Sequence, residues 1–294
     1  MVLQQSLTLV NPQSGNLAFK LFSFDDHNPF DHIQRLHYYS LIWIKKGKGT
    51  VKADFSTLTF SEDTLFAFAP YQPFMLQSED EMEGVVLHFH PDFFCIHKHH
   101  DEVACNGVLF NNIYEPPFVR TNEQTNQTFD LLIDQIKLEM QQPALAQYEL
   151  LVSYLKIFLI TASRLKQEQA PKIKTNVSAK EPFILQNLKN YIETHFRTKH
   201  SASDYADLLN ITTKALGKIT KTHFNKTLTD LIAERVVIEA KRELYLTSKT
   251  VKEIAYELGY EDEHYFSRFF KNNAEVSPQL YRETVGFARA EVPM

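Results

Sequence analysis

The sequence predicts an α+β chain, with a strand-rich first half and an all-helical second half. Three observations carry that reading. Between residues 17 and 90, six short runs rich in β-branched and aromatic residues alternate with turn residues. Beyond Glu115-Pro116-Pro117 the apolar period lengthens to that of a helix. In the last third, one helical unit occurs twice, with Ala206 and Leu209 recurring 49 residues later as Ala255 and Leu258.

A chain of 294 residues that is 44% hydrophobic supports one or two ordinary cores. No stretch is apolar and long enough to span a bilayer. The N-terminus, MVLQQSLTLVNPQ, has neither a charged leader nor an apolar core, so no secretory signal is expected. Cys95 and Cys105 give no disulfide framework and fit reduced thiols in a cytoplasm. The net charge is −5, unevenly spread. From residue 180 onward there are 17 basic and 16 acidic residues, which leaves 14 basic and 20 acidic before it. A polyanionic partner is therefore not excluded, because affinity follows where the cations sit.

The first half reads as strands at 17–22, 39–45, 49–55, 57–60, 64–70 and 84–90, punctuated by Gly47, Gly49, Asp54, Pro70 and Pro73. Short strands at such spacing predict a sandwich or small barrel. A concave sheet of that kind can hold a small organic ligand. His37, Tyr39, Leu41, Trp43 and Phe68 are the candidate lining. Eight of the twelve histidines fall here, including His88-x-His90 on one strand face and the cluster His97, His99 and His100. Two amphipathic helices follow. Phe129, Leu132, Ile133, Ile136 and Met140 mark the first, which ends near Gln142-Pro143. Tyr148, Leu151, Val152, Leu155, Phe158, Leu159 and Ala162 mark the second. Residues 166–180 are polar without an apolar period and read as a linker, dividing the chain into domains 1–165 and 181–294.

The second half opens with a helix at Glu181-Pro182, carrying Leu188, Tyr191, Ile192 and Phe196. In the first copy of the unit Ser203 or Asp204 caps a helix, and Asn210 fills the turn. In the second, Thr250 and Glu253 form a capping box, Ile254, Ala255 and Leu258 make the apolar face, and Gly259 ends the helix. Asp262 then leads into Tyr265, Phe266, Phe269 and Phe270. Lys221 matches Lys271 and Thr227 matches Ser277 at a spacing of 50, so the second copy has one extra turn residue. Each copy is a helix-turn-helix pattern. One long helix carrying Leu231, Ile232, Arg235, Val236, Ile238, Ala240 and Leu244 joins them. A stiff helix between two such units suits two major-groove segments on one DNA face, ~34 Å apart.

The order of residues is more specific than the period. IAYELGY, YFSRFFK and SPQLYR resemble the C-terminal signature of the AraC family of bacterial transcription regulators. The family usually has glycine where this chain has Asn225 and Glu275, so both are expected at positive φ. The resemblance implies double-stranded promoter DNA as partner. It places base contacts at Lys214, Gly217, Lys218, His264, Tyr265 and Arg268. Phosphate contacts are expected at Thr212, Thr213, Lys221, Thr227, Lys252, Lys271 and Ser277. IWIKKGKGTVKAD with LFAFAPYQPF resembles the cupin-like sensor domain found ahead of this module. The two intervening helices resemble the family's dimerisation helices; the alternative is that they cover the barrel only.

A homodimer that activates transcription through RNA polymerase, under a small-molecule effector, is the expectation that follows. Metal-binding cupins use two histidines, a glutamate and a later histidine. Here Ser40 stands in the glutamate slot, and Pro73 and Phe74 lie where the later histidine belongs. No metal, cofactor or catalytic residue is therefore expected. Two alternatives stay open: a DNA-binding regulator without a small ligand, and a cupin enzyme fused to a helical domain.

Overall fold

The computed structural model describes residues 6–286, apart from 13–14, 26–27, 55, 79, 100–102, 104–106 and 170–180. The chain divides into two compact units, 1–112 with 116–170, and 113–115 with 171–294. Of the expected linker, residues 166–169 are helical and 170–180 lie outside the described residues, as do His100 and Cys105.

The first unit is built on two antiparallel sheets. Among the described residues nine strands contribute: β1 (Leu7–Val10), β2 (Leu17–Phe24), β3 (Tyr39–Lys46), β4 (Gly49–Ala53), β5 (Ser56–Phe60), β6 (Thr64–Phe68), β7 (Phe74–Gln77), β8 (Glu83–Phe89) and β9 (Phe118–Arg120). The larger sheet has the order β1-β2-β8-β3-β6-β9 and the smaller β5-β4-β7. The sheets are open rather than one closed barrel, with β1, β9, β5 and β7 as edges. β1, β7 and β9 go beyond the six expected runs. Each is four residues or fewer, too short to establish a period.

Strand alternation assigns two cores to the larger sheet. Leu41, Trp43, Leu87 and Phe89 pack with Phe129, Ile133, Ile136, Leu155 and Phe158. These last residues come from α1 (Glu123–Gln141) and α2 (Gln147–Gln169), which run as an antiparallel-type hairpin over that face. Trp43 meets Phe129 edge-on at 5.5 Å, and Phe129 stacks on Phe158 at 3.9 Å. On the other face Ile42, Ile44, Val86, Phe66 and Phe68 pack with Val51, Phe74 and Leu76 of the smaller sheet.

The second unit is helical. Its elements are α3 (Glu181–His195), α4 (Ala202–Leu208), α5 (Thr213–Phe224), α6 (Leu228–Leu246), α7 (Val251–Glu257), α8 (Glu263–Ala274) and α9 (Pro278–Val285). Each start from α4 onward has a side-chain cap. Capping boxes pair Ser201 with Asp204, Thr227 with Asp230 and Thr250 with Glu253. The cap of α4 is therefore Ser201, two residues earlier than expected, and Asp204 is its reciprocal partner. The α4–α5 turn is one residue shorter than the α7–α8 turn, as the change from 49 to 50 requires.

Helices α5 and α8 both end on a left-handed residue, Asn225 at φ 54° and Glu275 at φ 62°. The conformation costs a residue with a Cβ about 1–2 kcal/mol, less for Asn, whose side chain bonds locally. Glu275→Gly should therefore raise the unfolding free energy by about 1 kcal/mol, read as a higher urea midpoint at unchanged slope. An unchanged or lower midpoint would show that the Glu275 side chain returns what its backbone costs.

Candidate nucleic-acid interface

The interface is built from two copies of one geometry. In the first, α4 buries Tyr205 and Ala206. Asn210 takes the left-handed turn position at φ 52°, and Thr212 caps α5 by accepting from the Ala215 amide. Leu216 and Thr220 face inward. Lys214, Lys218 and Lys221 are exposed at i, i+4 and i+7, one helical face. In the second, α7 buries Ile254 and Ala255, Gly259 turns the chain at φ 79°, and Asp262 caps α8. Phe266, Phe270 and Ala274 face inward. His264, Arg268 and Lys271 repeat the exposed positions of the first copy, with Tyr265 beside them, 59% exposed.

Gly217 sits within the first exposed face. A Cβ built there meets nothing within 4 Å. The fold itself gives no reason for a glycine at a helix interior, where it costs roughly 0.5–1 kcal/mol against alanine. An outside surface that approaches the helix backbone closely would supply one.

The expected phosphate contacts fall into two kinds. Thr213, Lys221, Lys252 and Lys271 are exposed. Thr212, Thr227 and Ser277 are the caps of α5, α6 and α9, each accepting a backbone N–H. Each hydroxyl keeps its own proton to donate, and the helix start adds amides aimed the same way. Acidic Glu261, Asp262 and Glu263 surround the start of α8, where the helix dipole favours them but a phosphate would not.

What sequence reasoning missed is the set of ties that hold the two copies together. Glu239, on the connector α6, is 3% exposed. It accepts from Arg197 at 2.6 Å, Arg235 at 3.1 Å and Arg242 at 3.0 Å. Burial alone would raise its carboxyl, but the three guanidiniums outweigh burial and hold it below the usual range. Arg235 also bonds Glu193 at 2.7 Å and lies 3.9 Å from the Phe196 ring centre. At the other end Arg282 donates to the carbonyls of Leu244 at 3.0 Å and Lys249 at 2.6 Å, closing the C-terminus of α6. A direct contact adds to these. A Cβ at Gly259 would lie 2.2 Å from the Arg197 carbonyl oxygen, and the next residue, Tyr260, stacks on His200 at 4.7 Å. A signal for the first tie was present, since Glu239 interrupts the apolar run of the connector.

The five residues expected to line a ligand pocket are not brought to one place. Tyr39, Leu41 and Trp43 share the face packed beneath α1 and α2, whereas Phe68 lies on the opposite face, stacked on Phe74 at 3.9 Å. His37 precedes β3 and lies 6.1 Å from the His90 ring. Among the described residues, no three His, Cys, Asp or Glu side chains are grouped to hold a metal ion.

Comparison with known proteins bears on the helical unit first. A helix-turn-helix domain family matches residues 205–284. The raffinose operon regulatory protein RafR of Pediococcus pentosaceus is 28% identical over 116 residues, 40% of this chain and 42% of RafR. This chain thus spans less than half the length of that relative. An uncharacterised HTH-type transcriptional regulator of Bacillus subtilis, YfiF, is 22% identical over 255 residues, 83% of this chain and 76% of YfiF. Among solved structures, ToxT from Vibrio cholerae covers 92% of this chain and 99% of its own at 14% identity, with a TM-score of 0.42.

Two variants separate base reading from backbone anchoring. Arg268→Ala should relax base preference at one position of a selected binding site, a change worth ~1–3 kcal/mol against the wrong base. Lys271→Ala should weaken all duplexes alike and lower the salt slope by ~1. Gly217→Ala should stabilise the fold by about 0.5–1 kcal/mol while weakening DNA binding. Gain of stability with unchanged binding would remove close approach as the reason for that glycine.

Proposed function

We propose that the chain is a sequence-specific, double-stranded DNA-binding regulator of transcription of the AraC type, read through residues 205–284, which a helix-turn-helix domain family matches. The supporting observation is the repeated exposed face, Lys214, Lys218 and Lys221 on α5 and His264, Arg268 and Lys271 on α8, carried on one tied block. The α6 connector has 19 residues, a rod of about 28 Å. That is the scale of one duplex turn, ~34 Å. Base reading is assigned to the six expected residues and anchoring to the caps and lysines around them. The chain acts by binding rather than by catalysis, in the cytoplasm, on promoter DNA. Activation through RNA polymerase is the sense of regulation we favour. Among the described residues no helix is long and apolar enough to cross a membrane.

A second copy of the chain is the partner we assign to the helical hairpin of the first unit. Its inner stripe is spent on the sheet. A second apolar stripe, Leu131 and Leu138 on α1 with Leu150 and Ile157 on α2, stays exposed. Leu131 is 68% exposed and Ile157 47%. Side chains of this size left in water on neighbouring helices fit a helix-to-helix interface.

Selection of bound sites from a random duplex pool tests the main reading. It should return a preferred sequence, with affinity falling steeply as salt rises. A pool recovered without preference at low salt would sink it. For the pairing, Leu131→Glu combined with Ile157→Glu should shift sedimentation to the monomer mass. Binding to a single site should persist, and cooperative binding to paired sites should be lost.

A further inference from the structure

Apart from the apolar stripe on α1 and α2 and the His200–Tyr260 contact, a row of polar side chains lies between the two sheets. The stripe is already assigned to a second copy, and the His200 contact is one of the ties of the DNA-binding block. The polar row is left without a role.

Register places the row. Lys20 on β2 pairs with His88 on β8, and His88 pairs with Ser40 on β3. Paired residues of adjacent strands point to the same face. That face also carries Phe22, Ile42, Val86 and Phe68, so it looks towards the smaller sheet. Ser40 is 0% exposed and His88 4%. Neither the Ser40 hydroxyl nor either ring nitrogen of His88 has a hydrogen-bond partner among the described residues. Buried polar groups are nearly always paired, and leaving one unpaired costs about 1–3 kcal/mol. Two adjacent residues in that condition, on one row, ask for a missing partner.

The chemistry of the row says what kind of partner. Lys20 has no ion-pair partner among the described residues; its ammonium lies 4.9 Å from the Phe22 ring centre. Burial, and then the Lys20 charge, push the His88 imidazole down to about 3, so it is neutral and keeps one N–H to donate. The row thus offers an ammonium, a hydroxyl and an imidazole N–H, and no carboxylate. A neutral sugar would leave the ammonium without a counter-charge. A carboxylate needs donors and a cation. Rings stand at the open side. Tyr38 covers His88 at 4.6 Å and Phe22 meets it edge-on at 5.6 Å, and both are only partly buried.

We propose that the Lys20–His88–Ser40 row is an effector site for a small organic acid, whose carboxylate meets these three side chains and whose apolar body lies against Phe22 and Tyr38. Entry requires the Tyr38 ring to swing off the imidazole. As a binding site the row stands alone; as an effector site it rests on the regulator reading above.

The test uses the full chain with benzoate and hexanoate as probes, and benzyl alcohol and 1-hexanol as their neutral counterparts. Calorimetric titration should detect binding of at least one acid, with its alcohol at least tenfold weaker. The same acid should raise Tm and shift the His88 ring resonances. Lys20→Met, at a partly exposed position that the fold tolerates, should weaken acid binding at least tenfold, and Ser40→Val should weaken it too. Failure of both acids to bind overturns the proposal. So does equal binding of acid and alcohol, or undiminished binding by Lys20→Met. Each preparation is also assayed on DNA. Lost acid binding with intact DNA recognition condemns this site alone, whereas the reverse result condemns the regulator reading alone.

Discussion

A single buried carboxylate governs the geometry of the DNA-binding block. Glu239 lies on the connector and gathers three guanidiniums, two from its own helix and one, Arg197, from the segment before α4. A carboxylate so buried is tolerated only while it has cationic partners, since leaving it uncompensated costs about 3–5 kcal/mol. Arg197 serves twice. Its guanidinium fixes the first copy to the connector, and its carbonyl oxygen is the surface against which Gly259 of the second copy turns. Only a residue without a Cβ fits there. One residue therefore joins the first copy, the connector and the second copy, and sets the rotation between α5 and α8.

That fixed rotation changes what the surface charges can accomplish. The chain carries a net charge of −5, and acidic Glu261, Asp262 and Glu263 stand at the start of α8. Diffuse attraction to DNA is weak in such a molecule, because counterion release follows the number of phosphates met by cations. Lys214, Lys218 and Lys221 repeat as His264, Arg268 and Lys271 on the second helix, so the cations are few but placed in register. Sparse cations on a stiff frame favour discrimination over sheer affinity, since a mismatch at one helix cannot be relieved by rotating the other.

Much of this could be read from the residues because its causes are local. The capping box of Thr250 with Glu253 and the glycine turn at 259 follow from backbone chemistry within four residues, whereas the positive φ of Asn225 and Glu275 was implied by the glycine usual at those places in the resembled family. The extra turn residue of the second copy followed from a change of spacing alone. Faces of the sheet did not. β3 is buried on both sides over Tyr39–Ile44, so its alternation is invisible in hydrophobicity. The pocket set His37, Tyr39, Leu41, Trp43 and Phe68 mixed two faces for that reason. Which residue of β6 lies opposite which residue of β3 decides the matter, and register is a property of the pairing. The Arg197–Glu239 tie spans 42 residues, and although Glu239 marks itself by interrupting the connector's apolar run, nothing in the sequence points to Arg197 as its partner.

Stiffness also narrows how a signal can act. With α5 and α8 locked through Arg197, Glu239 and Arg282, an effector does not work by changing the angle between the two readers without breaking a buried ion pair. An effector can only shift an equilibrium by its differential affinity for two states. A single carboxylate meeting Lys20, Ser40 and His88 gains a few charge-assisted hydrogen bonds, each worth about 1.5–3 kcal/mol before the cost of ordering. Breaking the buried network would consume about 3–5 kcal/mol of that gain. Shifting the proposed equilibrium between free and paired copies through the exposed apolar stripe would need no such break. On the proposed reading, the regulated quantity would be how two intact blocks are presented to DNA, with the shape of each block unchanged.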